Sequence, residues 1–113
     1  MYQYKARVNE IVDGDTIGAS VQLGFDVSLQ LRFRLNGINT PESRTKDLEE
    51  KARGMKAKAR LMDLVLGEEV VIISDKQEKF GRYLATIMLG DINVNETLIA
   101  EGHAVPYDGK SPR

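Results

Sequence analysis

Val27-Ser28-Leu29-Gln30-Leu31-Arg32-Phe33-Arg34-Leu35-Asn36-Gly37-Ile38 alternates apolar and polar side chains almost without a break. In an extended chain Val27, Leu29, Leu31, Phe33 and Leu35 share one face, and Ser28, Gln30, Arg32, Arg34 and Asn36 the other. This is the period of a half-buried strand, so the fold needs a sheet with one covered face. Working back, Gly24-Phe25-Asp26 reads as a turn and Thr16–Leu23 as an apolar-rich strand before it. Earlier still, Tyr4, Ala6, Val8 and Glu10 alternate with Lys5, Arg7, Asn9 and Ile11, and Asp13-Gly14 marks a tight turn. Three successive strands joined by short turns form an antiparallel meander.

Working forward, the composition shifts after Thr40-Pro41. Residues 44–60 hold seven basic side chains against three acidic ones, a local balance of +4 in a chain of net charge −1. Met55, Ala59, Met62 and Leu66 follow helical spacing, widened by Leu61 and Val65, which predicts a helix over 54–66 closed by Gly67. Residues 47–53 either extend it or form a loop. Met55, Met62 and Met88 read as core filler. Glu69–Ser74 is a fourth strand, Asp75–Gly81 a polar loop and Arg82–Leu89 a fifth strand. Asn95 is expected to cap a short helix running to Glu101, with Gly102 as its stop. The order predicts a mainly β, five-stranded Greek-key barrel of the OB type. One helix lies between strands 3 and 4, and a short helix follows strand 5. Residues 1–107 are expected to form one domain and 108–113 a flexible tail.

The chain of 113 residues is long enough for one core and too short for two. It has no Cys, which removes disulfide scaffolds, thiol nucleophiles and thiolate zinc sites. It has one His, His103, which removes sites built on imidazole pairs. Chemistry is left to carboxylates, Arg, Lys or Tyr, with an oxygen-liganded metal. No apolar leader follows Met1, and the longest aliphatic run is Val70–Ile73, far short of a membrane span. A soluble, cytoplasmic protein without a membrane partner is expected.

Three clusters carry candidate chemistry. In Asp13-Gly14-Asp15-Thr16 a turn presents carboxylates, and Asp15 is a candidate hard-oxygen ligand for a divalent cation. In Arg34 to Glu42 a strand with one polar face ends in Asn39, Thr40 and Glu42 around Pro41, which holds Thr40 extended. In Glu78-Lys79-Phe80-Gly81-Arg82 a glycine-containing loop feeds a strand that Arg82 opens.

Taken in order, these clusters resemble the staphylococcal nuclease-like (thermonuclease) family, whose marks are an aspartate-glycine-aspartate-threonine turn, an Arg-bearing strand ending in aspartate-threonine-proline-glutamate, and a glycine-arginine pair. Val94-Asn95-Glu96-Thr97-Leu98 is similar to the family's short second helix, and the resemblance runs over roughly 4–107. It implies an OB barrel and Ca2+-dependent hydrolysis of DNA and RNA with little sequence preference, single strands favoured. By similarity Asp15, the Thr40 carbonyl and the position held by Asn39 would ligate Ca2+. Glu42 would orient or deprotonate the attacking water, and Arg34 and Arg82 would hold the phosphate. Lys79, Phe80 and Tyr107 would contact substrate, the aromatics by base stacking.

The chain departs from the pattern at two site positions. Asn39 stands where the family has a second carboxylate, so weak, millimolar metal affinity is expected. Phe80 replaces a common Tyr. The alternative is a catalytically weak or inactive OB-fold nucleic-acid-binding module. A monomer or weak homodimer is expected.

Overall fold

In the computed structural model the described residues are 2–77 and 82–107; Lys79, Phe80 and the 108–113 tail lie outside them. Five long strands form the body: β1 (Tyr2–Asp13), β2 (Thr16–Gly24), β3 (Val27–Leu35), β5 (Glu69–Gln77) and β6 (Tyr83–Leu89). Short strands β4 (Ile38–Asn39), β7 (Ile92–Asn93) and β8 (Val105–Pro106) flank them, with helices α1 (Leu48–Val65) and α2 (Val94–Ala100). The sheet order is β3-β2-β1-β5-β6-β7, antiparallel, and a parallel pairing of β3 with β6 at Phe33–Leu35 closes it into a barrel. This is the expected mainly β, five-stranded OB-type barrel with its two helices.

Alternation fills the barrel. Ala6 and Val8 of β1, Ile17, Ala19 and Val21 of β2, Phe33 and Leu35 of β3, Val70 and Ile72 of β5, and Ala85 and Ile87 of β6 are all buried in one cluster. Glu10 does not continue the apolar face of β1. The register passes from Val8 opposite Ala19 to Glu10 opposite Gly18, so Asn9 is an extra residue. This bulge reverses the alternation, turning Ile11 towards the core and Glu10 to solvent, where it pairs with Arg32 at 3.1 Å.

The covered face of β3 is shorter than its alternation. Val27 and Leu29 are exposed, as is Phe25 at the turn. Only the Phe33–Leu35 end is closed by β6; the other end projects with β2 as a hairpin. Phe25 and Asp26 both have positive φ, the backbone of a tight two-residue turn that suits strand twist.

Helix α1 begins earlier than residue 54. The Asp47 side chain accepts hydrogen bonds from the Glu49 and Glu50 amides, so 47–53 are capped helix rather than loop. Its buried face is Gly54, Ala57, Leu61 and Val65, not the Met55, Ala59, Met62, Leu66 stripe. Met55, Met62 and Leu66 are exposed, so Met55 and Met62 are not core filler. The reason is close packing: at its N-terminal half the helix lies against backbone, where Gly and Ala fit and Met does not. Gly67, at φ 82°, stops the helix as expected, and its amide donates to Val8 O at 2.8 Å. The Arg60 guanidinium grips Glu101 at 2.6 and 2.9 Å, tying α1 to the end of α2. That hydrogen bonding holds the Glu101 carboxyl below the usual carboxylate range.

Asn95 is not the cap of α2. Asn93 is, its side chain accepting from the Glu96 amide at 3.0 Å. Asn95 is buried instead. It accepts from Ile87 N (3.1 Å) and donates to Asn36 O (2.9 Å) and Ala85 O (3.0 Å). It therefore ties β6 to the bend between β3 and β4. Asn95→Ala is expected to cost about 2–4 kcal/mol in denaturant unfolding, because it strands buried backbone groups as well as removing bonds. A loss under 1 kcal/mol, on the same scale, would show that the three bonds are dispensable.

Candidate active site

The meander delivers three of its ends to one cleft. The β1–β2 turn brings Asp13 and Asp15, the end of β3 brings Arg34, and the segment after β4 brings Glu42. Arg82 arrives from just before β6. Asp13, Asp15, Arg34, Asn39, Glu42 and Arg82 line a single open cleft of about 400 Å³, with Arg44, Val12 and Thr16. Thr16 of β2 pairs with Arg34 across the sheet, which is why residues 18 apart in the chain share a site.

Asp15 is buried at 7% exposure. Burying a carboxylate requires partners, and it has them. Its Oδ2 accepts from the Thr40 amide at 3.3 Å and faces Arg34 Nη2 at 3.5 Å; the Thr16 hydroxyl donates to its Oδ1 at 3.2 Å. Arg34 Nη2 also donates to Asn39 Oδ1 at 3.2 Å. One cationic nitrogen thus serves oxygens from two separate segments. Thr40 and Asn39 are buried beside it. Glu42 is exposed and lines the cleft, while its amide donates to Glu50 Oε2 at 3.1 Å.

Gly14 makes this turn possible. A Cβ there would lie 2.8 Å from the Ala57 Cβ and 3.0 Å from Thr40 Oγ1. The turn is wedged between α1 and the segment carrying Thr40, so only a residue without a side chain fits.

Tyr107 is close to the cleft: the Arg34 guanidinium sits over its ring, 5.2 Å from the centroid. One face of that ring is therefore taken. Its amide donates to Gly37 O at 2.9 Å, which anchors the last described residue beside the β3–β4 bend. The expected contacts of Lys79 and Phe80 lie outside the described residues. His103 stands apart from the cleft, with Nε2 3.9 Å from Glu101 Oε1.

Arg44 was not among the residues expected here. The signal was present, since it stands two residues after Glu42 in the basic 44–60 stretch, but the stretch reads equally as a solvated helix face. With Arg44 the cleft holds three carboxylates and three guanidiniums, a formal balance of zero. A phosphodiester adds negative charge to such a cleft, and a divalent cation would offset it.

The oxygens present suit a hard cation. Asp15 Oδ2 and Asn39 Oδ1 converge on one point already favoured for positive charge, the Arg34 nitrogen. Among the described residues no three His, Cys, Asp or Glu side chains group as a metal cage. An Asp–Asn–carbonyl set falls outside that count.

Residues 32–113 match the family described as Staphylococcal nuclease homologue. Similar proteins include the micrococcal nuclease of Shigella flexneri, 30% identical over 113 residues, covering 92% of this chain and 59% of that protein. The thermonuclease of Staphylococcus hyicus is 32% identical over 100 residues, 87% of this chain and 56% of that one. An uncharacterized protein of Bacillus anthracis is 30% identical over 104 residues, 89% and 46% respectively. The chain spans about half the length of the curated relatives it matches.

Proposed function

Because the chain belongs to the staphylococcal nuclease homologue family, we propose that it is a Ca2+-dependent nuclease hydrolysing DNA and RNA with little sequence preference. The observation that carries this reading is the convergence of Asp15, Glu42, Arg34 and Arg82 on one cleft.

The chemistry follows from charge. A phosphodiester anion repels a nucleophile, and negative charge spreads over its equatorial oxygens as water adds. Arg34 and Arg82 present guanidiniums that bind such oxygens in a fixed plane, which a Lys ammonium does not. Asp15, Asn39 and the Tyr107 ring hold Arg34 at the cleft. Glu42, exposed in the cleft, takes the proton of the attacking water. The P–O5′ bond breaks with its electron pair on O5′, which takes a proton from solvent, leaving a 3′-phosphate and a 5′-hydroxyl. Asp15, Asn39 Oδ1 and the Thr40 carbonyl would hold Ca2+, which when bound supplies positive charge to the phosphate. Bases are gripped loosely, by stacking on aromatic faces, which favours single strands.

The test is direct: at millimolar Ca2+ the purified chain is expected to degrade single-stranded DNA, and chelation to stop it. DNA and RNA both left intact would sink the reading.

A second reading, a nucleic-acid-binding module without turnover, is favoured by one observation. Asn39 contributes an oxygen but no charge where the family has a carboxylate. That reading predicts oligonucleotide binding with a steep salt slope and no cleavage. Asn39→Asp separates the two. It restores a second negative charge to the oxygen set, so Ca2+ affinity is expected to rise about tenfold or more, with greater activity at limiting Ca2+. An unchanged Ca2+ titration would remove Asn39 from the metal shell.

A further inference from the structure

Gly54 lies within the regular helix α1, and its φ is not among the positive ones. Nothing in its backbone conformation requires glycine, and alanine is the better helix former at such a position. Its surroundings explain it. A Cβ on Gly54 would overlap the Glu42 carbonyl oxygen and stand 2.7 Å from the Ser43 amide nitrogen. These are main-chain atoms, which cannot swing aside as a flexible side chain does. One turn earlier on the same helix, Glu50 Oε2 accepts the Glu42 N–H at 3.1 Å. The helix therefore holds Glu42 at both ends of its backbone: Glu50 binds the amide, and the bare Gly54 surface seats the carbonyl. Ser43 beyond it is buried, whereas the Glu42 side chain is exposed in the cleft with Asp15, Arg34 and Arg82.

We infer that Gly54 is a positioning residue for the reaction: its missing side chain, with Glu50, sets where the Glu42 carboxylate stands over the cleft. The inference rests on the nuclease reading, in which Glu42 handles the attacking water. A side chain at Gly54 lifts the Glu42 main chain off the helix and moves the carboxylate. It leaves Asp15, on the β1–β2 turn, and Asn39, on β4, where they are, since neither lies on the Glu42–Ser43 backbone that Gly54 seats. A base displaced by about 1 Å loses roughly 10²-fold in rate.

The experiment compares wild type, Gly54→Ala, Glu50→Ala and Ala59→Gly. Ala59 is on the exposed face of α1 and away from Glu42, so Ala59→Gly weakens the helix without touching the site. Steady-state cleavage of single-stranded DNA is measured beside Ca2+ binding by calorimetry and amide hydrogen exchange at Glu42. Gly54→Ala is expected to lower kcat about 10- to 100-fold, with KM and the Ca2+ dissociation constant changed by less than about threefold. Glu50→Ala, which removes the acceptor, is expected to lower kcat by a smaller factor and to speed exchange of the Glu42 amide. Ala59→Gly is expected to keep kcat within about twofold.

A folded Gly54→Ala variant with wild-type kcat overturns the inference. So does a parallel loss of kcat and Ca2+ affinity, which would mean general damage to the site, or an equal loss in Ala59→Gly. If Gly54→Ala does not fold, unchanged kcat and exchange in Glu50→Ala, which has no acceptor, overturn it. Wild type that cleaves beside an unimpaired Gly54→Ala sinks this inference alone. Wild type that cleaves nothing sinks the nuclease reading and the inference with it.

Discussion

Arg34→Ala is expected to lower kcat/KM for single-stranded DNA by about 10³–10⁵-fold, the range that arginine supplies in other phosphoryl transfers. The arginine is well prepared for the task. Its side chain is 12% exposed, and it is fixed from three sides by Asp15, Asn39 and the Tyr107 ring. Preorganised charge in a partly dried site acts on the transition state without first reorganising. The same contacts give a second, opposite expectation. Arg34 Nη2 holds the Asp15 and Asn39 oxygens that are assigned to the metal, so its removal is expected to raise Ca2+ affinity while activity collapses. Arg34→Lys keeps a charge but loses the planar fork, and is expected to fall between wild type and alanine. Breaking a buried pair also costs about 3–5 kcal/mol of stability, so unfolding must be measured beside the kinetics. A folded Arg34→Ala protein within tenfold of wild type would take Arg34 out of phosphate stabilisation.

Glu42→Gln is expected to lower kcat by about 10²–10⁴-fold, the usual contribution of a positioned general base. Because the Glu42 side chain is exposed, the change is expected to leave stability within about 0.5 kcal/mol. It is expected to leave oligonucleotide binding intact or slightly stronger, since one negative charge leaves a cleft that binds an anion. Gel-based cleavage and fluorescence anisotropy on the same oligonucleotide check both halves. Retained cleavage would assign the water-activating role to another group; lost binding would make Glu42 a structural residue.

Arg34, Glu42, Asp15, Asn39 and Arg82 are marked in the chain by the order and spacing of their motifs, which resemble a known family's, and the fold brings them to one cleft. Arg44 is not so marked, since one more arginine in a basic stretch carries no mark of where its side chain goes. Asn95 has a residue type that suits a helix cap; two residues away Asn93 suits it as well, and only the packing of α2 on β6 separates them. Gly54 is illegible for a related reason. A glycine inside a helix pattern reads as a weakness, and its use shows only against the Glu42 carbonyl beside it.

By itself the sequence determined the five long strands, their order, the turns of the β1–β3 meander, and a residue set without thiols or paired imidazoles. Alternation and turn residues are local consequences of backbone geometry, written within a few residues of where they act. The tertiary structure decided which part of each apolar face is covered. It left Val27 and Leu29 in solvent beyond the reach of β6, reversed β1 at the Asn9 bulge, and turned α1 onto Gly54 and Ala57 in place of its methionines. Coverage depends on what lies opposite, and the opposing segment is often distant in the chain. Where two backbones meet closely, the smallest side chain wins over the most apolar one.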